Sequence, residues 1–161
     1  MDFPIFAPSP DNAGGNVGKP QLPLARSVGY QIRLTHRLMQ RALQARIERH
    51  GVTLGMWYFL RVLWAQDGIT QSELSRRTGT MEPTTLSAVR DMERGGIVER
   101  VPDPSDRRKI NVFLTEHGRA LEALLLPSAI EVVETALAGM TQREVSMLLD
   151  LLACIQQNLQ E

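Results

Sequence analysis

The 161-residue chain has a single cysteine, Cys154, so it can form no disulfide within itself and lacks the thiols of a structural zinc site. It has no run of eighteen or more apolar residues to span a bilayer, and its first residues, MDFPIFAPSPDNAGG, lack the basic start and apolar core of a signal peptide. A cytoplasmic location is the expectation. There is no glycine-rich phosphate loop and no nucleophile with a base and an orienting partner, and His36, His50 and His117 stand apart from other metal ligands. No catalytic residue, cofactor or metal is therefore assigned, and an enzyme is not expected. Cys154 lies on an apolar stripe with no adjacent cation, which reads as a buried structural thiol rather than a peroxide sensor.

Net charge is also absent, with 18 basic residues against 18 acidic ones. Its distribution matters more than its sum. Through Ile69 there are 8 cations against 4 acids, Thr70 to Thr115 has 8 against 7, and the remainder has 2 against 7. The acidic C-terminal part would be repelled by phosphate and should face away from it.

With 43% hydrophobic residues the chain can bury one core but not two full domains. Helical periodicity is widespread and strand-like runs are few, so the class is mostly α with a small β-hairpin wing. Residues 1–21 are a Pro/Gly-rich arm, either without regular structure or packing Phe3 and Phe6 on a neighbouring subunit. From about Leu22 to Arg49 nothing but a tolerable Gly29 interrupts a long helix, which Gly51 ends, and residues 22–52 form an N-terminal dimerisation region. Thr53 caps a second helix containing both tryptophans.

Thr70 to Thr115 is the most informative stretch. Thr70 and Glu73 have the spacing of a capping box, and Gly79 ends the helix they open. A further helix starts at Glu82–Pro83, where a proline in the first turn loses no hydrogen bond, and stops at Gly95–Gly96. Helix, glycine turn, helix is a DNA-reading arrangement. Ile97–Val101 and Ile110–Leu114 are β-branched-rich runs flanking a loop, which makes a hairpin with Arg107, Arg108 and Lys109 at its tip. Residues 53–115 are thus a winged helix-turn-helix domain.

On its second helix, Pro83, Thr84, Thr85, Ser87 and Arg90 suit backbone, thymine-methyl and base-edge contacts, the alternative for the hydroxyl residues being a solvated surface. A protruding arginine on the hairpin suits a narrow minor groove.

Residues 116–161 make two closing helices, the first capped by Thr115 and interrupted at Pro127, where a bend is expected, the last opened by a Thr141–Glu144 capping box. Their stripes, with those of the N-terminal helix, are too apolar for a lone subunit, which points to dimerisation through the terminal helices. A two-fold dimer reads inverted half-sites about 34–36 Å apart.

The segments GITQSELSRRTG, MEPTTLSAVRDMERGGIVER and above all DPSDRRKINVFLTEHG resemble the MarR (multiple antibiotic resistance regulator) family, over a stretch running from about Leu22 to the end. The resemblance implies a homodimeric, ligand-responsive transcription factor, usually a repressor, that binds double-stranded DNA. Asp106 and Arg108 match the family's paired acid and arginine, with Asp106 orienting the guanidinium that enters the minor groove; Arg107 is an adjacent phosphate or groove contact and Lys109 adds to the tip's charge.

The resemblance also implies a small-molecule pocket containing Tyr30, Arg33, His36, Arg37, Met56, Trp57, Tyr58, Arg61 and Trp64. Aromatic walls and a guanidinium fork would suit an aromatic carboxylate or a related thioester. The other reading is that the tryptophans are core and the arginines solvated. Two further functions stay open: a winged-helix interaction module that does not touch DNA, and a redox-responsive regulator using Cys154.

Overall fold

The computed structural model describes residues 23–106 and 108–160, so the arm over residues 1–21 and the expected groove contact Arg107 lie outside the described residues. By internal contacts the chain divides into residues 1–41 and 42–161.

The expected helix from Leu22 to Arg49 is shorter and interrupted. Leu24–Arg26 is a 3-10 turn, Ser27 is extended at φ −80° and ψ 109°, and α1 runs from Val28 to Ile47. The reason is local. Ser27 Oγ accepts from the Tyr30 N–H at 3.4 Å, an N-cap bond that starts the helix after Ser27 rather than before it. After α1 a second 3-10 turn, Glu48–His50, closes on Gly51 in the left-handed region at φ 73°.

In the second unit, α2 (Leu54–Ala65) opens on the expected Thr53 cap, whose side chain accepts from the Met56 N–H. It contributes Trp57, Phe59, Leu60 and Leu63 to a core completed by Leu43 and Ile47, Leu74 of α3 (Gln71–Thr78), Val89 and Met92 of α4 (Glu82–Arg94), and Leu121 and Leu125 of α5 (Glu116–Ala136). The strands are β1 (Ile69–Thr70), β2 (Val98–Pro102) and β3 (Ile110–Leu114), antiparallel in the order β1-β3-β2.

The hairpin therefore gains a third strand, too short to leave a period-two pattern. It is placed by Asp67 and Gly68. Asp67 Oδ1 accepts from the Leu114 N–H at 2.7 Å, the Gly68 N–H donates to the Val112 carbonyl at 3.1 Å, and a Cβ on Gly68 would lie 2.4 Å from the Phe113 ring.

α5 continues through Pro127, which leaves the carbonyl one turn earlier without its helical donor. α6 (Gln142–Asn158) has the complete Thr141–Glu144 capping box, with Thr141 N–H donating to Glu144 Oε2 at 2.7 Å and Glu144 N–H to Thr141 Oγ1 at 3.3 Å. The box at Thr70 is only half made. Thr70 Oγ1 accepts from the Glu73 N–H, but the Glu73 carboxylate turns to Arg76 and Arg77, because two guanidinium donors on the same helix compete with one backbone donor.

α6 has no buried residue, and Met147, Leu148, Leu149 and Leu151 stand exposed along it, as do Leu124, Ile130 and Val133 of α5. Cys154 is exposed, so nothing within the described chain buries the thiol expected to be structural; only a partner on the outward-facing stripe of α6 would cover it. No described helix is long and apolar enough to cross a membrane.

Candidate nucleic-acid interface

α3 and α4 are joined by a turn whose pivot is Gly79, left-handed at φ 62° with nothing within 4 Å of its would-be Cβ. The Thr80 N–H donates to the Ser75 carbonyl at 3.1 Å and the buried Ser75 hydroxyl donates to the Thr80 carbonyl, so the turn is held from both sides. α4 then begins at Glu82, with Pro83 in its first turn and Met81 at the N-cap position, where it provides no side-chain cap.

Four of the five residues expected to face DNA do lie on the exposed side of α4: Pro83, Thr84, Ser87 and Arg90. Thr85 does not. Its side chain is fully buried and its hydroxyl donates to the Met81 carbonyl at 3.2 Å, on the side that carries Val89 and Met92 into the core. An i, i+4, i+7 row runs from Thr85 to Val89 and Met92, so the helical period that exposes Ser87 buries Thr85.

The cations nearby differ in availability. Arg76 and Arg77 are paired to Glu73, whose carboxyl is held down to about 2 chiefly by the Arg76 bond and then by the Arg77 bond. Lys109 is exposed and adds to the field that lowers the Asp106 carboxyl, and Arg90 is exposed on α4. Arg108 extends from the wing with its side chain 92% exposed, its Nε 3.1 Å from Asp106 Oδ1 and its Nη2 3.4 Å from Oδ2. The Arg108 guanidinium is the main reason the Asp106 carboxyl lies below its ordinary range. The expected acid and arginine are thus together, and the forked contact fixes the plane of the guanidinium.

Two residues the sequence did not single out build the loop beneath them. Asp103 Oδ1 accepts from the Ser105 N–H, the Ser105 hydroxyl and the Asp106 N–H, while Oδ2 accepts from Asn111 Nδ2 at 3.0 Å. These bonds, the Ser105 hydroxyl first and Asn111 next, hold the Asp103 carboxyl well below the usual carboxylate range. An Asp two residues before a Ser is the signal of an Asx turn and was available in the sequence; the partner across the hairpin was not.

Of the residues expected to hold a small molecule, Tyr30 is half-buried on α1 and Arg33, His36 and Arg37 are exposed there, within residues 1–41. In the second unit, α2 brings Trp57, Arg61 and Trp64 together. The two indoles meet edge to face at 5.7 Å between centroids, and the Arg61 guanidinium lies 5.8 Å from the Trp57 ring centre. Trp57 is 3% exposed and is a core residue; Met56 is half-buried and Tyr58 exposed. Trp64 donates its indole N–H to the Gly118 carbonyl at 3.0 Å, tying α2 to the first turn of α5. Among the described residues no group of His, Cys, Asp and Glu could hold a metal ion.

Residues 50–109 match the MarR family. The chain is 31% identical over 121 residues to the HTH-type transcriptional regulator TtmR of Methylorubrum extorquens, a match covering 74% of this chain and 60% of that protein. It is 31% identical over 75 residues to the homoprotocatechuate degradative operon repressor of Escherichia coli, covering 47% of this chain and 51% of the other. The chain thus spans between half and two thirds of the length of these relatives. The crystal structure of a MarR transcriptional regulator from Methanosarcina mazei superposes with a TM-score of 0.75 at 31% identity, over 81% of this chain and 94% of that one.

Proposed function

The chain belongs to the MarR family, whose members are transcriptional regulators rather than enzymes, and on that premise we propose that it is a cytoplasmic homodimeric repressor of a palindromic operator, released by a small aromatic acid or a related thioester. The observation that carries this reading is the wing: Arg108 is exposed and oriented by Asp106, while Pro83, Ser87 and Arg90 form a separate exposed row on α4. In it α4 enters the major groove and Arg108 the minor groove. Because the chain has no net charge, its grip comes from a few placed cations and from doubling in a dimer. The exposed apolar faces of α5 and α6 supply the dimer contact. With Trp57 in the core, an aromatic carboxylate as effector draws on the exposed Arg61 and half-buried Trp64 packed about it, and one relative is named as the repressor of a homoprotocatechuate degradative operon.

A mobility-shift assay on the intergenic DNA upstream of the gene tests the DNA part. Arg108→Ala is expected to weaken binding about tenfold or more, the worth of about one lost groove contact. Unchanged affinity and salt slope would remove the wing from the interface. A second reading, an interaction module that leaves DNA alone, draws on the near balance of charge across Thr70 to Thr115 and predicts no shift at all. The exposed Cys154 keeps a redox-controlled version testable: a Cys154→Ala protein that still leaves DNA on peroxide treatment would eliminate it.

A further inference from the structure

An arginine that must enter a groove loses less entropy on binding if its loop already has one shape. Among the described residues, only the wing's own loop sets the direction of Arg108, whose side chain is 92% exposed. Asp106, which forks onto it, is itself pinned by its backbone: its N–H donates to Asp103 Oδ1 at 3.1 Å and its carbonyl accepts from the Lys109 N–H at 2.8 Å. Asp103 is pinned in turn, with its N–H on the Lys109 carbonyl at 2.9 Å and its Oδ2 on Asn111 Nδ2 at 3.0 Å. Asn111 belongs to the central strand, paired with Thr70 on one side and Val101 on the other, so it is the fixed end of this chain of contacts.

We propose that Asp103 and Asn111 are positioning residues for DNA recognition: the Asn111 amide holds the Asp103 carboxylate, which folds the wing tip and so aims Asp106 and Arg108. This rests on the reading of the wing as a minor-groove element. Neither residue touches the nucleic acid in that reading, and all four bonds to the Asp103 carboxylate come from the wing itself. Electrostatics makes the opposite prediction. An acid close to phosphate repels it, so if Asp103 mattered only as a charge its removal would tighten binding. A positioning role requires that its removal loosen it.

The test uses the full chain and the duplex it selects from a random-sequence library, with a companion duplex in which A·T pairs flanking each half-site are replaced by G·C. Asp103→Ala is expected to bind the selected duplex about tenfold more weakly, to lose most of the preference between the two duplexes, and to keep the parent's far-UV circular dichroism. Asn111→Asp sets two carboxylates face to face and should weaken binding similarly. The reciprocal variant Asp103→Asn with Asn111→Asp restores the donor and acceptor at unchanged net charge and should recover binding to within about threefold of the parent.

Tighter or unchanged binding by Asp103→Ala, with Arg108→Ala still costly, would overturn the proposal. So would a reciprocal variant no better than Asn111→Asp alone, which also covers the case in which Asp103→Ala fails to fold. If Arg108→Ala itself left binding and preference intact, the minor-groove reading would fall and this inference with it.

Discussion

Replacing Gly118 by alanine should unseat the start of α5 from the α4–β2 turn. A Cβ at that position would lie 2.1 Å from the Ile97 carbonyl oxygen and 3.1 Å from Leu114 Cδ2. The first neighbour is the backbone of the buried Ile97, so relief to the 3.4 Å of ordinary contact requires a shift of about 1.3 Å between the two segments. That shift acts on bonds already at their working length. The Ile97 carbonyl accepts from the Thr115 N–H at 3.0 Å and from the Thr115 hydroxyl at 3.1 Å, and the Gly118 carbonyl accepts from Trp64 Nε1 at 3.0 Å. Overpacking costs about 1–3 kcal/mol, and weakening two of these bonds adds about 1 kcal/mol each. The sum, about 3–5 kcal/mol, is a large part of the roughly 5–15 kcal/mol that holds a domain folded.

Urea unfolding followed by far-UV circular dichroism, at one fixed protein concentration, should show the midpoint lowered by about 1–2 M. Gly79→Ala is the control, since nothing lies within 4 Å there and only its φ of +62° is at stake, a cost of about 1–2 kcal/mol. A Gly118→Ala protein within about 0.5 kcal/mol of the parent would refute the close approach of α5 to the turn.

Leu149→Arg, at a position 61% exposed on α6, should leave the winged unit folded and halve the sedimenting mass at micromolar concentration; an unchanged mass would place the dimer contact elsewhere. Thr85→Ala should cost about 1–2 kcal/mol of stability through its lost methyl and hydroxyl while leaving base preference alone, whereas Thr84→Ala should weaken DNA binding and change stability by less than about 0.5 kcal/mol. Glu73 has a folded-state pKa of about 2 against an ordinary 4.5, so its stabilisation is complete above 4.5 and is lost as the pH falls through about 2. Glu73→Gln should flatten that part of the acid unfolding curve, and an identical curve would show that the Arg76 and Arg77 bonds contribute nothing.

What could be read locally was read from side chains that act within one turn of their own backbone. Thr53, Thr115 and Thr141 each accept from the N–H three residues on, as their spacing predicts. Gly79, Gly95 and Gly96 end helices where expected, and the order of helix, turn, helix and hairpin follows. Where a local rule had a competitor, it failed: Glu73 prefers two arginines to the Thr70 N–H, and Ser27 starts α1 later than its apolar spacing alone indicated.

The residue types at the interface were likewise in view, because an arginine in a Pro- and Asp-rich hairpin tip has no core to enter. Which hydroxyl on α4 faces out was not. Thr84 and Thr85 are the same residue in adjacent positions, and only the packing of α4 on the core separates the exposed one from the buried one. The same holds for Asp67, Asp103 and Gly118, whose partners Leu114, Asn111 and Ile97 lie 47, 8 and 21 residues away. Periodicity, caps and turns depend on neighbours along the chain, so the sequence by itself determined the elements and their order. The β1 strand, the seat of α5 and the scaffold of the wing depend on which distant segments meet, and only the tertiary structure decided them.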